Sequence, residues 1–266
     1  MTRVPFVKME GLGNDYIHVD AVQAPFPLER APACARAWSD RHFGIGADGL
    51  IVLLAGTHAP LRMAMWNADG SRGAMCGNGL RCLARLAFER GYTRDRRFVV
   101  ETDAGLRSVE VLTNGDVRAA MGEVRVQPPI EVRVVGRPWS LVVGDAGNPH
   151  AVLFVDDVAT APVLHLGNAL QGHDAFPDGV NVEFVQRLGA DRLRQRTFER
   201  GSGETLACGT GAAVAVAAAR AAGFVRGQDV TVELAGGALR VVGDGVALAI
   251  EGPARTVFTG EVALPE

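Results

Sequence analysis

Two cysteines stand where a thiol can do proton chemistry. Cys76 opens the run Cys76-Gly77-Asn78-Gly79 and Cys208 opens Cys208-Gly209-Thr210-Gly211, each at the start of a stretch that reads as a helix. At a helix start the first backbone N–H groups lack partners and the dipole places partial positive charge. A thiol there ionises more easily, an anion can bind, and the glycines let the backbone approach a ligand closely. Taking a proton from the α-carbon of an amino acid leaves a carbanion stabilised only by delocalisation into the carboxylate. Donors aimed at that carboxylate in advance are the largest help a protein can give. One thiolate that takes the proton, facing a thiol that returns one, inverts the centre. Thiols suit the task because they can titrate near working pH, which a serine hydroxyl cannot, and such a pair titrates as a unit.

The two cysteine runs belong to a longer repetition. Gly13-Asn14 and Gly147-Asn148 are 134 residues apart, and the two Cys-Gly-x-Gly runs are 132 apart. Two landmarks at nearly one offset, close to half the chain, indicate an internal duplication into two like domains. Glu199 lies nine residues before Cys208, as Asn67 lies nine before Cys76, which moves Glu199-Arg200 from a solvated pair at a strand end toward the site. If the halves face each other with pseudo-twofold symmetry, the two thiols flank one small ligand in the cleft between them.

The elements that must position these residues follow from pattern. In the first half, strands are expected over 4–9, 16–22, 50–54 and 62–66, with a helix over 33–39. A glycine-rich turn, a helix over 77–90 and strands over 98–102, 106–112 and 117–121 complete it, with Asn114-Gly115 as a hairpin turn. The second half repeats the order: strands over 140–143 and 151–155, a helix over 163–171, strands over 180–186 and 192–198, and a helix over 209–222. Several short strands close the chain. The last helix is apolar on every face except at Arg220, so it must be buried, and a curved sheet should wrap it. The fold class is therefore α+β, with domains over 1–122 and 123–255 and a final strand over 256–266 that returns to the first. Gln127-Pro128-Pro129 is the one linker-like stretch near the middle.

Composition removes several functions. The chain has 266 residues, a net charge of −3 and only eight consecutive apolar residues at most, over 212–219. A bilayer needs roughly 20, and a nucleic-acid groove needs a basic surface, so neither partner is expected. The start shows no secretory pattern, which points to the cytoplasm. Lys8 is the sole lysine. A pyridoxal-phosphate enzyme needs a Schiff-base lysine and a phosphate loop needs one after its glycines, so both are set aside. Gly44 to Gly49 fits G-x-G-x-x-G, but a strand follows it where that fingerprint requires a helix. Cys34 and Cys82 read as small buried thiols; the spacing of Cys76 and Cys82 exceeds that of common zinc knuckles. His18 and His42 read as surface or loop residues.

Six segments together resemble the signatures of the diaminopimelate epimerase family. They are Gly11-Leu12-Gly13-Asn14-Asp15-Tyr16, Asn67-Ala68-Asp69-Gly70-Ser71, Met75 to Cys82, Gly147-Asn148-Pro149-His150, Gly179-Val180-Asn181-Val182-Glu183, and Glu199 to Gly211. The resemblance implies a cofactor-free epimerase that interconverts LL- and meso-diaminopimelate in lysine synthesis. It also implies two β-barrel-like domains, each around a central helix, and a homodimer. By the same resemblance Cys76 is the proton acceptor and Cys208 the donor in the LL-to-meso direction. Gly77, Asn78, Gly209 and Thr210 would serve the reacting carboxylate. Asn14, Asn67, Asn148, Asn181, Glu199 and Arg200 would hold the other groups of the substrate, Arg200 as a bidentate clamp, with His150 in support. Gly49 stands where some members carry a glutamine, and Ala213 where many carry a cysteine. Two rivals remain: a related epimerase of histidine or proline, and a thiol protein carrying metal or cycling a disulfide through Cys76, Cys82 and Cys208.

Overall fold

The computed structural model describes residues 2–265; Met1 and Glu266, which end two of the expected ranges, lie outside them. The chain divides into two compact units, Met1–Ala119 with Gly252–Glu266, and Ala120–Glu251.

In order along the chain, the first elements are β1 (Arg3–Gly11), β2 (Asn14–Asp20), α1 (Ala31–Ser39), β3 (Gly49–Ala55), β4 (Leu61–Asn67), β5 (Arg72–Gly73) and α2 (Gly77–Glu89). They continue with β6 (Arg97–Thr102), β7 (Gly105–Val111), β8 (Val117–Glu123), β9 (Arg125–Val126), β10 (Ile130–Val134), β11 (Arg137–Asp145) and β12 (Pro149–Phe154). The rest are α3 (Val163–Leu170), β13 (Asn181–Arg187), β14 (Arg192–Glu199), β15 (Gly203–Thr205), α4 (Gly209–Ala221), β16 (Asp229–Leu234), β17 (Gly237–Val242), β18 (Ala247–Gly252) and β19 (Arg255–Ala263).

The duplication is visible in strand order. In the first unit β1 and β2 are antiparallel, β2 and β3 parallel, β3 and β4 antiparallel, and β4 and β6 parallel. In the second, β11 and β12, β12 and β13, β13 and β14, and β14 and β16 repeat those four relations. The parallel pairs need crossovers, which run through α1 and α2 in the first unit and through α3 and α4 in the second. β19 lies antiparallel to β1, from Arg3 opposite Ala263 onward. In the second unit β10 holds the corresponding place beside β11. These mixed sheets with few helices bear out the α+β reading.

Each unit keeps a helix on either face of its sheet. α1 packs Cys34, Ala35 and Trp38 against Ile17, Leu50, Val52 and Trp66. α3 packs Leu166 and Leu170 against Val182, Phe184 and Phe198. Each large side chain so buried contributes roughly 1.5–3 kcal/mol. On the opposite faces α2 lies against β1, β2, β3 and β7, and α4 against β9, β11, β12, β13, β14 and β17. α4 is buried from Gly209 to Val216, as its sequence requires.

Some expectations need correction. The helix expected over 33–39 starts earlier, at Ala31, with a proline in its first turn, where its missing N–H costs nothing. β5, β9 and β15, of two or three residues, are too short to show a period. β10 has the alternating pattern Ile-Glu-Val-Arg-Val, overshadowed by the prolines before it; the linker-like stretch lies inside the second unit, between β9 and β10. His18 is not at the surface. It is fully buried in β2, and its Nδ1 lies 3.3 Å from the Tyr16 carbonyl.

Burial pushes the His18 imidazole down to about 4, against backbone hydrogen bonds that favour the proton. The unfolded chain therefore takes up a proton that the folded chain refuses. Stability from this group is present above about pH 6.5 and is lost progressively as pH falls toward 4, by about 3 kcal/mol in all. Chemical denaturation between pH 7 and 4 should show a smaller acid loss in His18→Leu than in the parent. Equal slopes would overturn this account.

Candidate active site

In the first unit, Cys76 is the N-cap of α2, with extended backbone at φ −128° and ψ 124°. Its Sγ accepts the Gly79 N–H at 3.5 Å, the bond a Ser or Asp oxygen usually supplies at this position. The thiol donates to Asn14 Oδ1 at 3.3 Å. Asn14 starts β2 directly after Leu12 and Gly13, both at positive φ (59° and 81°), so this turn aims it. Its Nδ2 donates to Asp48 Oδ2 at 2.6 Å, which fixes Oδ1 toward Cys76. The same Oδ1 accepts from Asn78 Nδ2 at 3.2 Å.

A charged layer holds Asp48. Arg41 joins Asp15 at 2.7 Å to Asp48 at 2.9 Å, and Lys8 meets Asp15 at 2.7 Å. The sole lysine is thus a buried counter-ion, and it also donates to the Gly46 carbonyl. Burial works to raise the Asp15 carboxyl, but hydrogen bonds from Arg41 and Lys8 prevail and hold it low. Asp48 is raised by burial, with the Asp15 charge adding to it. Asn67, exposed at the end of β4, instead donates to Ser71 Oγ at 2.9 Å. Gly77 is the first, buried, residue of α2.

In the second unit, Cys208 caps α4 in the same way, at φ −121° and ψ 112°. Its Sγ accepts the Gly211 N–H at 3.4 Å and lies 3.5 Å from Thr210 Oγ1. Gly209 is the buried first residue of the helix. Glu199 ends β14, accepts from Thr205 Oγ1 at 2.6 Å, and hydrogen-bonds the Cys208 thiol. Burial raises its carboxyl, and the Glu183 charge raises it further. The Cys208 thiol is held well above its ordinary range by burial first, then by the Glu199 and Glu183 charges.

Behind Cys208 sits a buried polar group. His150 Nδ1 lies 2.8 Å from Glu183 Oε1, and its Nε2 3.0 Å from Asn148 Oδ1. Glu183 Oε2 accepts from Gln195 Nε2 at 2.7 Å and Thr197 Oγ1 at 2.5 Å. Asn181 Nδ2 donates to the Pro149 carbonyl at 3.1 Å, and its Oδ1 accepts the Arg200 N–H at 3.0 Å. Arg200 is exposed, its Nη1 donating to the Asp178 carbonyl at 3.1 Å.

Ligand-type atoms of His150, Glu183 and Cys208 lie within 4.8 Å of one another. Both ring nitrogens and both carboxylate oxygens are already hydrogen-bonded, so the cluster is satisfied without an ion. Cys82, which the metal reading needs, is buried in α2 and pushed up to about 12 by burial. Burial likewise raises Cys34 to about 11.

Of the residues named from the resemblance, the structure joins Asn14, Asn78 and Cys76 through hydrogen bonds in one unit, and Asn148 with His150, and Thr210 with Cys208, in the other. Asp48, Glu183, Gln195 and Thr197, which hydrogen-bond members of these sets, were not among those named. Glu183 had a signal: a lone charge within the apolar run Val180 to Val185. Such a residue on a buried strand must be partnered.

The units differ at one equivalent place. A Cβ on Gly79 would lie 2.4 Å from Ile51 Cδ1, and a Cβ on Gly211 would lie 2.2 Å from Glu183 Oε1. Gly211→Ala must therefore push a carboxylate off His150, whereas Gly79→Ala displaces a methyl. We expect Gly211→Ala to cost ~1–3 kcal/mol and more than Gly79→Ala, measured by urea denaturation; the reverse order would overturn the comparison.

The family model described as diaminopimelate epimerase matches residues 6–127 and 142–262, which include both cysteine segments. A diaminopimelate epimerase of Geobacillus kaustophilus is 44% identical, with 98% of this chain and 97% of the relative covered. One from Leptospira biflexa is 38% identical over 98% of this chain and 100% of its own length. The chain belongs to the diaminopimelate epimerase family. Family membership makes it an isomerase, and the thiol-protein rival falls away. The fold is shared more widely. A hydroxyproline epimerase from Agrobacterium vitis superposes with a TM-score of 0.77 at 17% identity, covering 99% of this chain and 93% of that one. A phenazine biosynthesis protein of the PhzF family from Bacillus anthracis also reaches 0.77 at 17% identity, covering 99% and 100%. At such identities the likeness concerns the fold alone. No helix among the described residues is long and apolar enough to cross a membrane.

Proposed function

We propose that this epimerase interconverts LL- and meso-diaminopimelate with Cys76 and Cys208 as its acid/base pair and no cofactor. One observation carries the reading: in each of two units with the same strand order, a cysteine sulfur caps a 13-residue helix by accepting the N–H three residues on. The reaction requires both sulfurs to reach one α-carbon from opposite faces.

In the LL-to-meso direction, the Cys76 thiolate takes the α-proton, so the Cα–H bond breaks and an S–H bond forms. The electron pair delocalises into the substrate carboxylate. The Cys208 thiol then delivers its proton to the other face and is left as the thiolate. Its raised pKa supports the donor role, since a buried thiol beside two carboxylates holds its proton until an acceptor of higher basicity arrives. N–H groups at Gly77, Asn78, Gly209 and Thr210 suit the reacting carboxylate, whose charge develops into two helix N-termini. In this reading Asn14, Asn67, Asn148, Asn181 and Glu199 take the ammonium and carboxylate groups. The exposed Arg200 guanidinium suits the distal carboxylate. His150, locked by Glu183, supports Asn148. A homodimer in the cytoplasm, with no nucleic-acid or membrane partner, completes the proposal; the charge of −3 accords with the last point.

Reduced protein with LL-diaminopimelate in deuterium oxide should yield the meso isomer with deuterium at the α-carbon. Cys76→Ala and Cys208→Ala should each lower turnover by at least 10²-fold, the lower end of what a positioned acid or base contributes. Retained turnover in either variant ends the two-thiol proposal, and exchange with proline or histidine alone would redirect it to another amino acid. Mild oxidation should join Cys76 to Cys208 and abolish activity, reversibly with reductant, provided the Cα atoms approach within about 7 Å. Peptide mapping that finds both thiols free in fully active oxidised protein would count against it.

A further inference from the structure

The amide of Asn14 stands between two charged groups whose hydrogen-bonding sense is fixed. On one side is Asp48. Its Oδ2 accepts the Asp15 N–H at 3.0 Å and its Oδ1 accepts from Arg41 Nη2 at 2.9 Å, so both carboxylate oxygens act as acceptors. Asn14 therefore gives it Nδ2, at 2.6 Å. On the other side is Arg81, fully buried on α2 and a donor by nature. Its Nη1 donates to Asn78 Oδ1 at 2.8 Å and its Nε to the Pro253 carbonyl at 3.3 Å. Asn78 therefore turns Nδ2 toward Asn14 Oδ1, at 3.2 Å. Both amide orientations follow from their partners.

The Asn14 oxygen so aimed accepts the Cys76 thiol proton at 3.3 Å. An acceptor there favours the S–H form, because a thiolate would face the lone pairs of the amide oxygen. The Gly79 N–H, in contrast, serves either form of the sulfur. The second unit lacks this wiring. Strand register sets Tyr16 opposite Gly49 and His150 opposite Asn181. Val180, fully buried, thus holds the place of Asp48, and Asn148 turns to His150 Nε2 at 3.0 Å.

We propose that Asp48 is a positioning residue that, through Asn14, holds an oxygen ready for the proton Cys76 takes from the substrate. As Cys76 acts, the Cα–H bond breaks and its electron pair passes into the substrate carboxylate. A sulfur lone pair forms the S–H bond, and that S–H donates to Asn14 Oδ1. Asp48 thus makes Cys76 a stronger base, not a more readily formed thiolate. The charged groups around Asp48 are Arg41 and Asp15, with Lys8 paired to Asp15; Arg81 and Cys82 lie beside Cys76. This deepens the reading of Cys76 as base and rests on it.

Iodoacetamide labelling of Cys76, mapped by mass spectrometry against pH, reads the S–H contact without reference to turnover. Asp48→Ala should lower the pH of half-maximal labelling by about half a unit or more, the worth of one hydrogen bond, and leave the Cys208 profile unchanged. The same variant should lose LL-diaminopimelate turnover by about three- to tenfold, so the thiol that ionises more easily is the poorer base. Asp48→Asn removes the charge, keeps an acceptor for Asn14, and should keep the parent labelling profile. Asn14→Ala should reproduce the shift, and Asp48→Ala added to it should shift labelling no further. If Asp48→Ala does not fold, Asp48→Ser, whose side chain is one bond shorter, carries the cycle. A folded Asp48→Ala with the parent profile overturns the proposal. So does an Asp48→Asn shift as large as that of Asp48→Ala, or additive shifts in the double variant. Turnover that survives Cys76→Ala ends the catalytic reading beneath it, an outcome the labelling cycle tells apart from the other three.

Discussion

A buried helix start needs acceptors for N–H groups that its own backbone cannot satisfy, and here the acceptor is sulfur. Oxygen from serine or aspartate would cap as well or better. Sulfur adds a proton of its own, which an oxygen acceptor such as a carboxylate does not carry. The structural bond and the chemical group are therefore one atom. Everything else keeps that atom in place: α4 is alanine-rich so that strands can close around it, and Gly79 and Gly211 let β3 and β13 come up against the helices.

The duplication supplied two such caps, and the interior then diverged. Where the first unit has Ile51 against its third helical residue, the second has Glu183, with His150, Gln195 and Thr197 built around it. Where the second has Ala213, the first has Arg81. A carboxylate and a guanidinium in dry surroundings cost stability, and a methyl group would pack more cheaply in either place. Their presence gives two otherwise matching helix caps different surroundings.

Much of this was legible in the residues. Helix starts at Cys76 and Cys208 follow from glycine placement and apolar period, and the repeat follows from two offsets that agree. α4 had to be buried because nothing polar covers it. His18 was not legible. One histidine among Tyr16, Ile17 and Val19 carries no mark of which side of the strand faces inward, because β2 is covered on both. Asp48 and Arg81 were hidden for a related reason: their partners, Asn14 and the Pro253 carbonyl, are distant in sequence, and single charged residues near a turn or on a helix usually face solvent. β10 was lost to two prolines that read as a break.

The place of β19 has a bearing on how the molecule is made. It supplies the edge beside β1, Arg3 against Ala263, with the Trp38 indole donating to the Ala263 carbonyl at 3.1 Å. The unit that holds β1 therefore takes its edge strand from beyond the whole of the second unit in sequence. The second unit, continuous from Ala120 to Glu251, has all its strands beforehand. Until β19 docks, β1 offers a naked backbone edge of the kind that other chains can pair with. The unit whose strands come first in sequence is the one completed last, and β19 serves as its fastening.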